Sequence, residues 1–320
     1  MTKLFQIIDG KVHSGTFGQA QPAPGKPSLT WVHLDLAEAD DTAWLAARDD
    51  IPDTARGALL SRETRPRTEF MDGGAIINLR GLGLTPDDDP DPLSSLRFWA
   101  EDGHVVSASF RNSASQGPVE SAFGTGRITT AGGIIAEFAR DMANRLDPQV
   151  AALGDHVDFC ESRLEGRRVH VIRRKVASSR SQAIAFRRFV VPQIHALDAL
   201  SDANPSWVND DDRLKLREAL DRSARMAEEL ESVRERSALI ADELTDLRAE
   251  QMNQRGLLVS IVALVFLPIT FVTGLFGMNV EGIPINSHPQ AFWIIAGFCV
   301  GVSLALIAWF IRAHWLRDRG

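Results

Sequence analysis

A Gly277-Met278-Asn279 turn separates two long apolar runs near the C-terminus, at residues 256–276 and 291–311. The turn offers backbone carbonyl oxygens and one side-chain amide oxygen, which are neutral, hard ligands. A divalent cation such as Mg²⁺ sheds water reluctantly, so these groups suit an ion that is held through its hydration shell. We therefore predict that the three residues form a selective mouth, with the charge of Glu281 close by.

Small or weakly polar residues recur through the first run and the turn of helix before it, at spacings of three and four. They are Asn253, Gly256, Ser260, Ala263, Leu267, Thr270 and Gly274. On a left-handed supercoiled helix these seven residues, called here the small-residue stripe, share one face. The sequence leaves two interpretations of this face open, namely close contact between helices and the wall of a narrow ion path.

Both apolar runs are free of charged residues and are long enough to cross a bilayer as helices. The joining segment, 280–290, has no Lys or Arg, whereas Arg255 precedes the first run and Arg312, Arg317 and Arg319 follow the second. Because basic flanks stay in the cytoplasm, both termini are predicted to lie there. A hairpin of two helices cannot enclose a pore, so transport would require several copies.

The rest of the chain is acidic and shows no disulfide or zinc framework. The net charge is −7, and of 42 acidic residues only Glu281 and Asp318 lie beyond Asn253. This balance favours cations and argues against nucleic acid as a partner. Cys160 and Cys299 have no paired spacing and are interpreted as ordinary packing residues. No nucleophile, base and orienting group can be assembled, so the chain is not predicted to be an enzyme.

Three regions follow from the patterning. Residues 1–148 are predicted to form an α+β domain, because β-like runs at 31–36, 75–79, 96–99 and 104–110 alternate with turn signals. Residues 149–254 are predicted to form a helical stalk domain, with an interruption at Pro192. Residues 255–320 are predicted to form a transmembrane hairpin.

The longest predicted element is one helix from Asn209 to Phe276, which at 1.5 Å per residue would be roughly 100 Å long. Asn209 is a suitable N-cap, and the three aspartates after it suit the positive end of the helix dipole. An apolar stripe in its first half requires helical partners: Leu216, Leu220, Ala224, Ala227, Leu230, Leu244 and Leu247. Asp242, Asp246 and Glu250 fall on the same side as Asn253 and could attract cations.

The segment Thr273-Gly274-Leu275-Phe276-Gly277-Met278-Asn279, followed by a short loop and a second span, resembles the CorA superfamily of divalent-cation transporters. Further segments resemble the ZntB-like zinc branch of that superfamily. They are Trp31 to Leu36, Glu63-Thr64-Arg65-Pro66-Arg67, Leu79-Arg80-Gly81, Pro192-Gln193, Phe266-Leu267-Pro268 and Gly282-Ile283-Pro284. The resemblance covers nearly the whole chain.

This resemblance implies a homopentameric funnel with a central pore, in a bacterial inner membrane. Carried over by residue, the small-residue stripe lines the pore, and Gly277, Met278 and Asn279 form the outer mouth. The cargo implied is Zn²⁺, with proton-coupled uptake as an option and no resident cofactor. Phe276 stands where the magnesium branch typically has tyrosine, and the acidic loop of that branch is missing, which argues against Mg²⁺. Transport of Mg²⁺, Co²⁺ or Ni²⁺ remains the alternative within the superfamily.

A second class of function also fits the sequence: a membrane-anchored coiled-coil scaffold or sensor, whose spans only tether it. That hypothesis predicts that Gly277, Met278 and Asn279 can be replaced freely.

Overall fold

The structure is a computed structural model that describes residues 2–16, 26–62, 65–71, 73–84, 92–164, 169–278 and 289–317, without the side chains of 169–170 and 313–317. Its internal contacts divide the chain into two units, Met1–Ala241 and Asp242–Gly320. The finer division into regions 1–148, 149–254 and 255–320 stays a prediction.

The first unit contains a sheet and the helices that cover it. Its strands are β1 (Lys3–Ile8), β2 (Lys11–Thr16), β3 (Leu29–Asp35), β4 (Arg67–Met71), β5 (Gly74–Leu82), β6 (Leu93–Glu101) and β7 (His104–Ser109). Its helices are α1 (Ala39–Ala46), α2 (Asp53–Leu60), α3 (Gln116–Gly124), α4 (Ala131–Glu161) and α5 (Val169–Ala203). Helix α6 (Asp210–Phe276) continues into the second unit, which also contains α7 (Ala291–Arg317).

The seven strands form one mixed sheet in the order β2-β1-β3-β7-β6-β5-β4. Only β3 and β7 are parallel, and the other neighbours pair antiparallel. The tight β1–β2 turn has Asp9 at φ 49° and Gly10 at φ 74°, the left-handed conformations that a two-residue hairpin requires. Most neighbouring strands pair antiparallel, and the long helices α4 to α7 all follow the last strand along the chain, so the predicted α+β class is confirmed.

One face of the sheet is covered by α3 and α4 through an aromatic core. Trp31 stacks on Phe5 with ring centroids 4.6 Å apart, and it meets Phe138 of α4 edge-on at 5.8 Å. Phe98 and Phe123 are fully buried in the same cluster. The other face packs against α1 and α2. Alternation of side chains along β3, β6 and β7 supplies both faces, which explains why these strands are buried at nearly every position.

Helix α6 begins where the sequence predicts. The Asp212 amide donates to Asn209 Oδ1 at 2.8 Å, while Asp212 Oδ2 accepts from the Asn209 amide at 3.3 Å and from Thr130 Oγ1 at 2.5 Å. This reciprocal arrangement satisfies amide groups that a helix start leaves unpaired. Because Thr130 is itself the N-cap of α4, the two helix starts are bonded to each other.

Within the first unit, α6 packs along α4 and α5. Arg222 pairs with Asp147 of α4 at 3.3 Å, and Arg187 of α5 pairs with Glu231 at 2.8 Å. The buried seam of α6 repeats at alternating spacings of four and three: Leu216, Ala219, Ser223, Met226, Leu230, Val233, Ser237 and Ile240. The helical partners predicted for the apolar stripe are thereby confirmed. Three residues of the stripe are only half-buried and lie at the margin of the buried seam: Leu220, Ala224 and Ala227.

The predicted interruption at Pro192 is wrong, because α5 continues through it. Proline removes one hydrogen bond from a helix interior. Here the neighbouring residues compensate by tertiary contacts: Phe189, Val190 and Gln193 are buried, and Gln193 Oε1 accepts a hydrogen bond from the Arg80 amide at 2.7 Å.

Candidate functional site

Two helices of the described chain are long and apolar enough to cross a membrane, and they are α6 in its C-terminal part and α7. Their large side chains are exposed, including Leu258, Phe271, Phe298 and Trp309. A run of exposed apolar side chains of this length would be costly in water. Together the two helices are the part of the described chain whose length and composition suit a bilayer.

The small-residue stripe lies entirely on an exposed face of α6. Its two hydroxyl groups bond to the helix itself, since Ser260 Oγ donates to the Gly256 carbonyl at 2.9 Å and Thr270 Oγ1 donates to the Phe266 carbonyl at 2.7 Å. With their protons used in this way, the oxygen lone pairs of both side chains remain available on the outer side. The face is thus lined by small groups and hydrogen-bond acceptors.

The opposite face of α6 has reduced exposure. These residues are Ile261, Val265, Pro268, Ile269, Val272 and Phe276, and a matching series on α7 is Ala291, Ile295, Cys299, Val302, Leu306 and Phe310. Both series are spaced by three or four, which indicates that the two helices shield each other along these faces. The small-residue stripe therefore points away from α7, and it is not explained by contact within the hairpin.

The glycines of the stripe support the same conclusion. A Cβ atom built at Gly256 or Gly274 would have no other atom within 4 Å. Glycine in a helix interior costs roughly 1 kcal/mol relative to alanine, so its presence needs a reason. Nothing in the described part of this chain supplies one.

Pro268 lies inside α6, on the face towards α7. Its ring leaves the Leu264 carbonyl without the usual amide partner. The nearby hydroxyls of Thr270 and Thr273 donate to the carbonyls of Phe266 and Thr270 rather than to that of Leu264. A shallow depression beside the proline is lined by Ala263, Leu267 and Thr270, which belong to the stripe.

Helix α6 ends at Phe276, and the Gly277 amide donates to the Thr273 carbonyl at 2.9 Å. Gly277 and Met278 are exposed just beyond this end. Asn279 and Glu281 lie outside the described residues. The structure therefore places the beginning of the predicted mouth at one end of the stripe, and the roles of all four residues stay predictions.

At the other end of the stripe, Asp242, Asp246 and Glu250 are all exposed on α6. Glu250 Oε1 accepts a hydrogen bond from Gln254 at 3.2 Å. Among the described residues no group of three or more His, Cys, Asp or Glu side chains could hold a metal ion. Within that part of the chain, the candidate path offers neutral oxygen groups and spaced single carboxylates.

Within the apolar part of α7 the sequence analysis singled out Cys299 alone, whose side chain is buried here. The signal that could have identified the shielded face of α7 is the series of small and apolar residues at spacings of three and four. That signal is weak, because nearly every position of the helix is apolar.

Comparison with known proteins agrees with these features. Residues 26–312 match the model of a family described as CorA-like Mg²⁺ transporter protein. Zinc transport protein ZntB of Yersinia enterocolitica is 33% identical over 288 residues, covering 89% of this chain and 88% of that protein. ZntB of Pectobacterium carotovorum is 30% identical, covering 97% of this chain and 94% of that protein.

Solved structures show the same fold. Full-length CmaX superposes with a TM-score of 0.77 at 27% identity, covering 98% of this chain and 97% of that chain. The CorA magnesium transporter of Methanocaldococcus jannaschii has a TM-score of 0.78 at 15% identity, covering 98% of each chain, and this likeness concerns the fold alone. With the family match over most of its length and two apolar C-terminal helices, the chain belongs to the CorA family of divalent-cation transporters.

Proposed function

We propose that this protein carries divalent metal cations, chiefly Zn²⁺, across the bacterial inner membrane through a pore formed by five copies of the chain. The observation that carries the proposal is the small-residue stripe, which is exposed on α6 and faces away from α7. In a ring of five chains, five such faces would meet around one axis.

The chemistry of the stripe suits a hydrated ion. Ser260 and Thr270 present oxygen lone pairs outward, and Gly256 and Gly274 leave room next to the backbone. Small residues on facing helices permit a close approach, and a ring of them leaves a narrow axial space. Asn253, Ala263 and Leu267 complete the proposed lining.

The mouth of the pore is assigned to Gly277, Met278 and Asn279. Five copies of the turn would supply a ring of carbonyl and amide oxygens to a cation that keeps its water shell. Glu281 would add negative charge beside this ring, and Asp242, Asp246 and Glu250 would attract cations at the other end.

The choice of Zn²⁺ rests on relatives named as zinc transport proteins, which are similar to this chain over about nine-tenths of its length. Mg²⁺, Co²⁺ and Ni²⁺ are the alternatives within the family. Basic residues flank both spans, which supports cytoplasmic termini and a cytoplasmic location for residues 1–148 and 149–254, with the hairpin at 255–320. Coupling of uptake to protons is a further part of the proposal.

The test is cation flux into liposomes that contain the purified protein and a zinc-sensitive dye. Ala263→Leu should remove most of the flux, because five added side chains would fill the axis. Ala308→Leu makes the same change on the exposed side of α7 and should leave flux near the wild-type level.

Equal flux in both variants would refute the assignment of the stripe to a pore. No flux in the folded wild-type protein with any of the four metals would favour the scaffold or sensor instead. Repeating the assay with an imposed pH gradient, in either direction, decides whether protons contribute.

A further inference from the structure

Helix α5 presents an exposed basic surface. From Arg173 to Leu197 the sequence contains six Lys or Arg residues and no Asp or Glu. Arginines recur on it every seven residues, which is about two helical turns, and each of the first and last positions has a second arginine beside it. The five exposed arginines, called here the arginine face, are Arg173, Arg174, Arg180, Arg187 and Arg188.

The arginine face is open to an approaching surface. The opposite side of α5 is buried, with Ile172, Ala183 and Phe186 among its residues. Small exposed residues lie between the arginines, including Ala177, Ser181 and Ala185. Of the five arginines, Arg187 alone makes an ion pair with a described residue, which is Glu231 at 2.8 Å. Most of the positive charge on this face is therefore not neutralised by the described part of the chain.

An acidic groove of about 410 Å³ lies between α4 and α6. Asp155 and Glu229 are exposed there and make no ion pair with a described residue. The Glu229 side chain lies against the backbone of α4, since a Cβ atom at Gly154 would be only 2.5 Å from Glu229 Oε1. In total the groove is lined by four carboxylates and one guanidinium group, namely Asp147, Asp155, Asp158, Glu229 and Arg225.

The arginine face and the acidic groove lie on opposite flanks of α6. One flank faces α4, where Arg222 pairs with Asp147. The other flank faces α5, where Glu231 pairs with Arg187. Glu229 of the groove is two residues from Glu231, which is about 200° around the helix. The two oppositely charged surfaces therefore cannot meet within one chain.

We propose that the arginine face of α5 docks on the acidic groove between α4 and α6 of a neighbouring copy of this chain. The inference rests on the proposed pore of five copies, and it names the surfaces through which the first units of those copies meet. Two different surfaces on opposite flanks make a head-to-tail contact, which closes into a ring. Opposite charges on the two surfaces determine which flanks meet.

The charged groups also lie at matching levels along the bundle. Helices α4 and α6 run in the same direction, and α5 runs in the opposite direction. Because Arg187 is level with Glu231 in its own chain, a rotation about an axis along α6 keeps Arg188 close to the level of Glu229 and Asp155 in the next copy. Arg180 is about 10 Å further along α5, near the level of Asp158.

The test is chemical cross-linking of the purified full-length protein in detergent, with a bismaleimide that has a short spacer. Ala151→Cys places a thiol in the groove, and Ala185→Cys places one on α5 near Arg188. A protein with both substitutions should give a ladder of linked chains on a denaturing gel. Either substitution alone should give no ladder, because each position meets the other one in a head-to-tail contact. The wild-type protein, whose two cysteines are buried, gives the background.

Charge reversal in the double-cysteine protein tests the electrostatic basis of the contact. Arg188→Glu should lower the linked fraction several-fold, because it places like charges opposite Asp155 and Glu229. Adding Asp155→Arg should restore most of the linking. Arg127→Glu makes the same reversal at an exposed position outside both surfaces and should leave the linked fraction unchanged.

Native mass spectrometry of the same protein counts the copies and separates this inference from the pore itself. Five copies without linking between positions 151 and 185 would overturn the docking and leave the proposed pore intact. A ladder in the protein with Ala185→Cys alone would show that two α5 faces meet, and it would overturn the docking as well. Linking that Arg188→Glu does not reduce would also overturn it. A folded protein without oligomers would overturn both the docking and the pore.

Discussion

The buried imidazole of His33 predicts a specific loss of stability in acid. His33 Nδ1 lies 2.9 Å from Ser107 Oγ, which also accepts a hydrogen bond from Trp31 Nε1 at 2.8 Å. Burial, with smaller effects from Lys3 and the N-terminal amine, lowers the pKa of His33 from 6.5 to about 3. The ring is therefore neutral in the folded protein over the whole range in which an unfolded chain would protonate it.

Because the folded pKa is the lower one, the unfolded chain binds more protons between pH 3 and 6.5, and the free energy of unfolding falls as the pH falls. The slope is about 1.4 kcal/mol per pH unit for one proton. Between pH 7 and pH 5 this group alone should therefore cost about 2 kcal/mol of stability. Above pH 6.5 its contribution is complete and no longer changes with pH.

The assay is urea unfolding of the full-length protein in detergent, followed by tryptophan fluorescence, at pH 7 and pH 5. His33→Gln is expected to be less stable at neutral pH, because Gln fits the bonded site less well. Its further loss on going to pH 5 should be about 2 kcal/mol smaller than the wild-type loss. His13→Gln removes an exposed histidine and is the matched control, which should follow the wild-type protein.

The comparison of variants at two pH values cancels the contributions of all other titrating groups. A His33→Gln protein whose stability falls in parallel with the wild-type protein would refute the reasoning, since it would mean that His33 is hydrated or already charged in the folded state.

Three further predictions concern ion flux in the liposome assay. Asn279→Ala should abolish most of the flux in a protein that remains folded, because a ring of amide oxygens is lost; wild-type flux would remove Asn279 from the mouth. Glu281→Gln should reduce uptake mainly at low ionic strength, since an exposed charge acts over a Debye length of about 10 Å at 0.1 M salt; an effect independent of salt would indicate direct ligation instead. Asp246→Lys should slow flux far more than Asp246→Asn, because added positive charge creates a barrier, and near-wild-type flux in both would place Asp246 away from the path.

Much of the fold could be predicted because its signals are local. The two apolar runs, the N-cap at Asn209 and the long helix to Phe276 each depend on a short stretch of sequence. The strands around Trp31, Ile77, Phe98 and Val106 were recognisable for the same reason. By contrast, β1, β2 and β4 were missed. The edge strands β2 and β4 are only partly buried and have a weak apolar pattern, and β1 lies between β2 and β3.

Pro192 and the buried serines of α6 show where local rules fail. A proline normally ends a helix, but α5 continues because its flanking residues are buried and Gln193 bonds to β5. Ser223 and Ser237 lie in the buried seam although serine is usually exposed. Ser223 Oγ donates to the Ala219 carbonyl at 2.7 Å, so the helix satisfies a hydroxyl that the sequence pattern counts as polar.

The sequence by itself determined the two apolar C-terminal helices, the long helix and the small-residue stripe, because hydropathy and helical spacing are properties of neighbouring residues. Only the tertiary structure decided which face of α6 is shielded by α7, since that depends on how the two helices meet. It also decided that Arg62, Arg80, Arg97 and Arg111 share one cavity. These four residues belong to separate segments of the chain, and strand pairing brings together charges whose spacing in the sequence has no regular period.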